Sequence, residues 1–139
     1  MHIDTSTEFG QRVMRRLREE HVIWLTTVGP DGAPQPRPVW FLWEEGSFLI
    51  YSQPDAHKVR HIRRNPHVAL HFNSDTDGND VVVFIGEARL DDSAPRADRH
   101  AAYLAKYAQG IADLGMTPQQ MAEEYSAAIR VTPTHLRGF

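Results

Sequence analysis

The sequence predicts a mainly β fold, a small barrel of antiparallel strands with helices at its periphery. Three observations lead there. Five runs between Val22 and Leu90 are rich in β-branched and aromatic residues and are separated by turn chemistry. The block Asp80 to Leu90 is apolar for most of its length, as a strand covered on both faces should be. A last run, Ala128 to Pro133, follows two helical segments and can close the sheet as its sixth strand.

The elements follow in order. Ser6-Thr7-Glu8 is a helix start, and Phe9, Val13, Met14 and Leu17 recur at helical spacing up to about Glu20. At Val22 the pattern changes to the strand Val22 to Val28, which Gly29-Pro30-Asp31-Gly32 turns back on itself. Pro36 to Glu44 is the second strand, and after the turn Glu44 to Ser47 the third runs from Phe48 to Ser52. Prolines at 34, 36 and 38 remove ladder donors on one edge, which places this stretch at a rim, where a ligand can enter.

Gln53-Pro54-Asp55 breaks the third strand, with Asp55 as the expected N-cap of a short helix over Ala56 to Arg64 that Asn65-Pro66 stops. His67 to Asn73 is the fourth strand and Asp80 to Leu90 the fifth, with Gly86 marking a bulge or a close backbone approach. Pro95 to Ala108 and Pro118 to Ala127 have helical composition, and Gly110 together with the turn-like Leu114-Gly115-Met116-Thr117-Pro118 is expected to separate them.

Composition narrows the function. A chain of 139 residues fits a single domain over residues 1–139, large enough to bury a sizeable core. A net charge of −3 gives no general footprint for nucleic acid, although a local basic patch can hold a small anion. The absence of cysteine removes disulfides, thiolate nucleophiles and thiolate-bound metals. No stretch approaches the roughly 20 apolar residues of a membrane span, and the opening residues lack a signal-peptide core, so a cytoplasmic protein with a small-molecule partner is expected.

The chemistry concentrates in the short helix. Lys58 falls beside the apolar stripe of Val59 and Ile62, turned toward the barrel, whereas His57, Arg60, His61 and Arg64 share the other side. A lysine in the first turn of a helix, next to the strand-end residue Ser52, offers an anion a cation, a hydroxyl and free backbone N–H groups at one place. His57 and His61 have the spacing of a helical metal pair, but no carboxylate stands between them, and no metal site is assigned. There is no phosphate loop, dinucleotide pattern or nucleophile elbow, so no catalytic side chain is assigned.

Taken in order, Thr27 to Phe41, Leu49-Ile50-Tyr51-Ser52 with Lys58, Asn65 to Leu70, and Ile129-Arg130-Val131-Thr132-Pro133 resemble the pyridoxamine 5'-phosphate oxidase-like split barrels that bind FMN or coenzyme F420. The likeness spans about Val13 to Phe139 and is greatest to the F420-dependent branch. It implies a six-stranded antiparallel split β-barrel that dimerises with itself and binds one cofactor in each of two grooves between the subunits. Carried onto this chain, it implies that Gln35, Arg37, Pro38, Val39 and Trp40 wall the tricyclic ring, and that Tyr51, Ser52, His57 and Lys58 receive the phosphate. F420 continues beyond its phosphate into a polyglutamate tail, so the basic residues Arg60, Arg63 and Arg64 favour F420 over FMN. The expected activity is hydride transfer between F420 and a small organic substrate. FMN chemistry on the same barrel, or a carrier of F420, flavin or haem without turnover, is the alternative. Leu136 to Phe139 is expected to reach the partner's groove.

Overall fold

The computed structural model describes residues 1–139. Helix α1 (Glu8–Glu19) starts where the sequence indicates, with Thr7 as N-cap accepting a hydrogen bond from the Gly10 N–H at 3.0 Å. Strands β1 (Val22–Val28), β2 (Pro34–Trp40), β3 (Leu42–Glu44) and β4 (Ser47–Ser52) follow. Helix α2 (His57–Arg64) leads into β5 (His67–His71) and β6 (Val82–Leu90). A 3-10 turn (Ala97–Arg99), α3 (Ala101–Asp113) and α4 (Pro118–Glu124) precede the last strand, β7 (Ala127–Gly138).

All neighbouring strands pair antiparallel in one seven-stranded sheet of order β2-β1-β5-β6-β7-β4-β3. The seventh strand arises because the expected single strand Pro36 to Glu44 breaks at Phe41 into β2 and β3. These two pieces lie at opposite edges of the sheet yet are joined through one residue, so the chain itself closes the curled sheet into a split barrel. Phe41 is fully buried at this corner, outside any ladder, and its backbone must find other partners. Its N–H donates to the Tyr107 hydroxyl at 2.9 Å, and its carbonyl accepts from Lys106 Nζ at 3.0 Å.

Two further expectations are corrected. Asp55 does not cap α2; Ala56 holds that position with no side-chain bond, while the Asp55 carbonyl accepts from Arg60 at 2.8 Å. Gly110 does not break α3, which continues to Asp113. Leu136, Arg137 and Gly138 extend β7, pairing with Phe84, Val83 and Val82 of β6. Pro133, which read as a strand end, is tolerated inside β7 at a register shift opposite Gly86, where proline's missing donor does least harm. A Cβ on Gly86 would lie 2.6 Å from the Thr132 carbonyl oxygen, so this close crossing requires glycine.

Two cores flank β4, which explains its unbroken apolar run. Phe48 and Ile50 face the barrel interior with Ile23, Leu25, Leu70 and Phe84, and α1 and α2 plug this interior with Val13, Leu17, Val59 and Ile62. Leu49 and Tyr51 face outward into a second cluster with Tyr103, Tyr107, Ile111 and Met121 of the two late helices. Burying each such side chain contributes roughly 1.5–3 kcal/mol. The insertion between β6 and β7 is thereby fixed against the sheet, beside the end of β2.

Candidate functional site

Two chambers meet where β2, the end of β4, α2 and the late helices converge. The first is an apolar cavity of about 380 Å³. Pro38, Val39 and Trp40 of β2 form one wall, and Tyr103, Leu114, Met121 and Tyr125 form the wall opposite. The second is a polar basin of about 530 Å³, where Gln35 and Arg37 of β2 face His57, Lys58 and His61 of α2. Lys58 lines both chambers.

The apolar walls are held rigidly. The Trp40 indole stacks on Tyr107 with ring centroids 4.6 Å apart and planes within 8°. The Tyr51 hydroxyl donates to the Pro95 carbonyl at 2.6 Å, and its ring meets Tyr103 edge-on at 4.8 Å. Burial, with the nearby Glu44 carboxylate adding to it, pushes the Tyr51 phenol up to about 12. Ser52 is buried, and its hydroxyl donates to the Gln53 carbonyl at 3.0 Å.

The basin is cationic, and no carboxylate lines it. Helix α2 carries no acidic residue in its first turn and has His61, Arg63 and Arg64 in its last. Lys58 is half-buried with no carboxylate within 4.0 Å and no hydrogen bond to the protein. Burial, reinforced by the Arg37 guanidinium, lowers its pKa. A desolvated ammonium without a partner is costly in an isolated chain and becomes favourable once an anion arrives. Because no side chain caps α2, its first amide groups remain available beside that ammonium.

The structure brings nine of the expected residues to these chambers: Gln35, Arg37, His57 and Lys58 at the basin, with Pro38, Val39, Trp40, Tyr51 and Ser52 at the cavity. Arg60 and Arg64 are exposed and line neither. Arg60 instead bonds His57 Nδ1 at 2.7 Å, which makes that nitrogen an acceptor. His61 does not share the outer side with them: its Nδ1 lies 2.9 Å from the hydroxyl of the buried Thr27 on β1, so it joins Lys58 at the basin. Helix α2 lies against β1, and residues on both flanks of its Val59–Ile62 stripe therefore meet the sheet.

The helical wall is what the sequence reading missed. Its one legible signal is Tyr103, Tyr107 and Ile111 at fourth-residue intervals, which marks a packed face of α3 but not a cavity behind it. Trp24 and Trp43 stay out of the site: Trp24 stacks on His71 and donates to Asn73, while Trp43 packs against Phe48 and Phe84.

Fold and site together define a split-barrel protein with an aromatic cavity and a cationic basin at one sheet edge. The family model described as pyridoxamine 5'-phosphate oxidase matches residues 9–139, and the chain belongs to that family. Among solved structures, the fold is similar to a conserved hypothetical protein from Mycobacterium tuberculosis, at 19% identity and TM-score 0.73 over 94% of this chain and 82% of that one. An F420 reductase aligns at 23% identity and TM-score 0.62, over 88% of this chain and 94% of the other. HutZ, the haem storage protein from Vibrio cholerae, aligns at 14% identity and TM-score 0.64, over 99% and 95%. No helix is long and apolar enough to cross a membrane.

Proposed function

We propose that the chain is an F420-dependent oxidoreductase that transfers a hydride between the deazaflavin and a small organic substrate. The observation that carries this reading is Lys58, an unpaired, half-buried ammonium at the junction of an apolar cavity and a cationic basin. A flat ring bearing a phosphate presents the complementary pair of surfaces, and about 380 Å³ lies within the range of small-molecule sites. The likeness to an F420 reductase supports the choice of ring.

When bound, the deazaflavin supplies the hydride chemistry. The protein's residues bind, orient and exclude water. Pro38, Val39 and Trp40 support the ring, and the rigid Trp40–Tyr107 stack sets its plane. Gln35 and Arg37 extend the same wall toward the phosphate. Lys58 and Arg37 balance the phosphate charge, His57 and the first amides of α2 donate hydrogen bonds to it, and Ser52 and Tyr51 shape the passage between the chambers. Arg60, Arg63 and Arg64 lie on exposed turns beyond the basin, where a chain of carboxylates leaving the phosphate finds counter-charge.

Residues 34–38 of β2 are all exposed, and three prolines deprive that edge of donors, so another strand cannot pair with it freely. A second copy of the chain, packing by side chains, covers this open side of the groove and makes the working unit a homodimer. FMN fits the same phosphate position without using the outer arginines, and it is the alternative cofactor.

The test is a titration of the purified protein with F420 and with FMN, followed by fluorescence. Submicromolar binding of F420 supports the reading, and submicromolar binding of FMN alone overturns it. Reduced F420 that is bound but never reoxidised by quinones, enones or tetrapyrroles leaves a carrier in place of an enzyme.

A further inference from the structure

His57 and His61 stand one turn apart on α2, and both rings line the polar basin. They stack with centroids 6.2 Å apart and planes 29° from parallel. Their partners decide where each carries its proton. A guanidinium only donates, so Arg60, 2.7 Å from His57 Nδ1, makes that nitrogen an acceptor and leaves the proton on Nε2.

His61 is fixed from the sheet instead. Its Nδ1 lies 2.9 Å from the Thr27 hydroxyl, and Thr27 is only 2% exposed, with no other side-chain partner for that hydroxyl. Were Nδ1 the donor, the threonine proton would be buried without an acceptor, which is unfavourable. The hydroxyl therefore donates, and His61 also carries its proton on Nε2, the nitrogen that no protein group meets. Burial, with His57, Arg60 and Arg64 adding to it, lowers the His61 pKa against a weaker opposing pull from Asp31, so the ring stays neutral. Arg37 and Lys58 are the other charged groups of the basin. A metal ion needs free ring lone pairs, and Thr27 and Arg60 already engage those of this pair. Two imidazoles that offer N–H groups suit an oxoanion.

We propose that Thr27 is a positioning residue whose buried hydroxyl locks the proton of His61 on Nε2, so that His61 joins His57 in clamping one tetrahedral oxoanion beside Lys58. The sheet and the helix thus share the task, Thr27 of β1 orienting one ring and Arg60 of α2 the other. This inference rests on the basin being the phosphate's place in the proposed function.

The experiment is a titration of histidine-15N-labelled protein with inorganic phosphate, followed by NMR at about pH 8, where an ordinary imidazole is neutral. His57→Gln and His61→Gln assign the two rings among the eight histidines. In wild type both should show the Nε2-protonated form alone, and phosphate should shift Nε2 of both with one common dissociation constant. Thr27→Val should let His61, but not His57, exchange between tautomers and should weaken phosphate binding about fivefold, the value of one neutral hydrogen bond. Thr27→Ser should restore both. A proton on His61 Nδ1 in wild type, or phosphate that moves His57 and leaves His61 unshifted, overturns the proposal whether or not the variants fold. Wild-type phosphate affinity in Thr27→Val, or a loss that Thr27→Ser does not repair, overturns it as well. Failure of F420 and FMN to bind removes the cofactor reading alone, since inorganic phosphate reads the clamp without a ring.

Discussion

Trp40 lies flat on Tyr107, and Gly110 is what leaves it the room: a Cβ at Gly110 would stand 3.1 Å from the indole Cη2 and 3.2 Å from Cζ2. The glycine sits inside α3, where it lowers helix propensity, and the cavity wall gains a flat, fixed indole in return.

Gly110→Val should therefore push Trp40 off Tyr107 and overpack this corner. A loss of roughly 1–3 kcal/mol in urea stability is expected, with a shift in tryptophan emission. An unchanged midpoint together with an unchanged spectrum would show that the ring moves aside freely.

Tyr107 has a second task at the barrel corner. Its hydroxyl accepts from the Phe41 N–H and lies 2.6 Å from the His21 carbonyl, to which it donates. Tyr107→Phe leaves the buried Phe41 N–H unpaired, and stability should fall by roughly 1–3 kcal/mol. Denaturant unfolding monitored by circular dichroism measures it; a change within error would mean that the corner repairs itself with water.

Asp91 gives the fold an acid limit. Its carboxylate accepts from the Ser93 hydroxyl at 2.6 Å and from Arg130 at 3.2 Å, and these bonds lower its pKa from 3.8 to about 2. The folded state thus holds the proton more weakly than the unfolded chain. Stability from this group is complete above the ordinary value and is lost as pH falls through about 2. Asp91→Asn should be less stable near neutrality and should show a flatter loss of stability between about pH 4 and 2. A parallel decline in the two proteins would show that other groups set the limit.

What was legible in the sequence was local. The period change at Val22, the turn at Gly29 to Gly32, the alternate prolines and the position of Lys58 beside Val59 and Ile62 all depend on neighbours within a turn or a strand, and those elements form as expected. What was not legible depended on contacts made across the fold. The break at Phe41 is stabilised by Tyr107, 66 positions away, and Gly110 is used for Trp40 instead of ending a helix. The aromatic wall of Tyr103 and Tyr125 likewise exists only once α3 and α4 dock on the outer face of β4.

Most depends on Lys58 as the anchor of an anion attached to a flat ring. Wild type and Lys58→Ala should be titrated with F420 and with its ring compound lacking the phosphate and tail. Wild type should bind F420 more tightly than the bare ring, and the variant should lose roughly 1–3 kcal/mol toward F420 with little change toward the ring alone. Equal affinity of wild type for both compounds, or an equal loss toward both in the variant, would contradict the account.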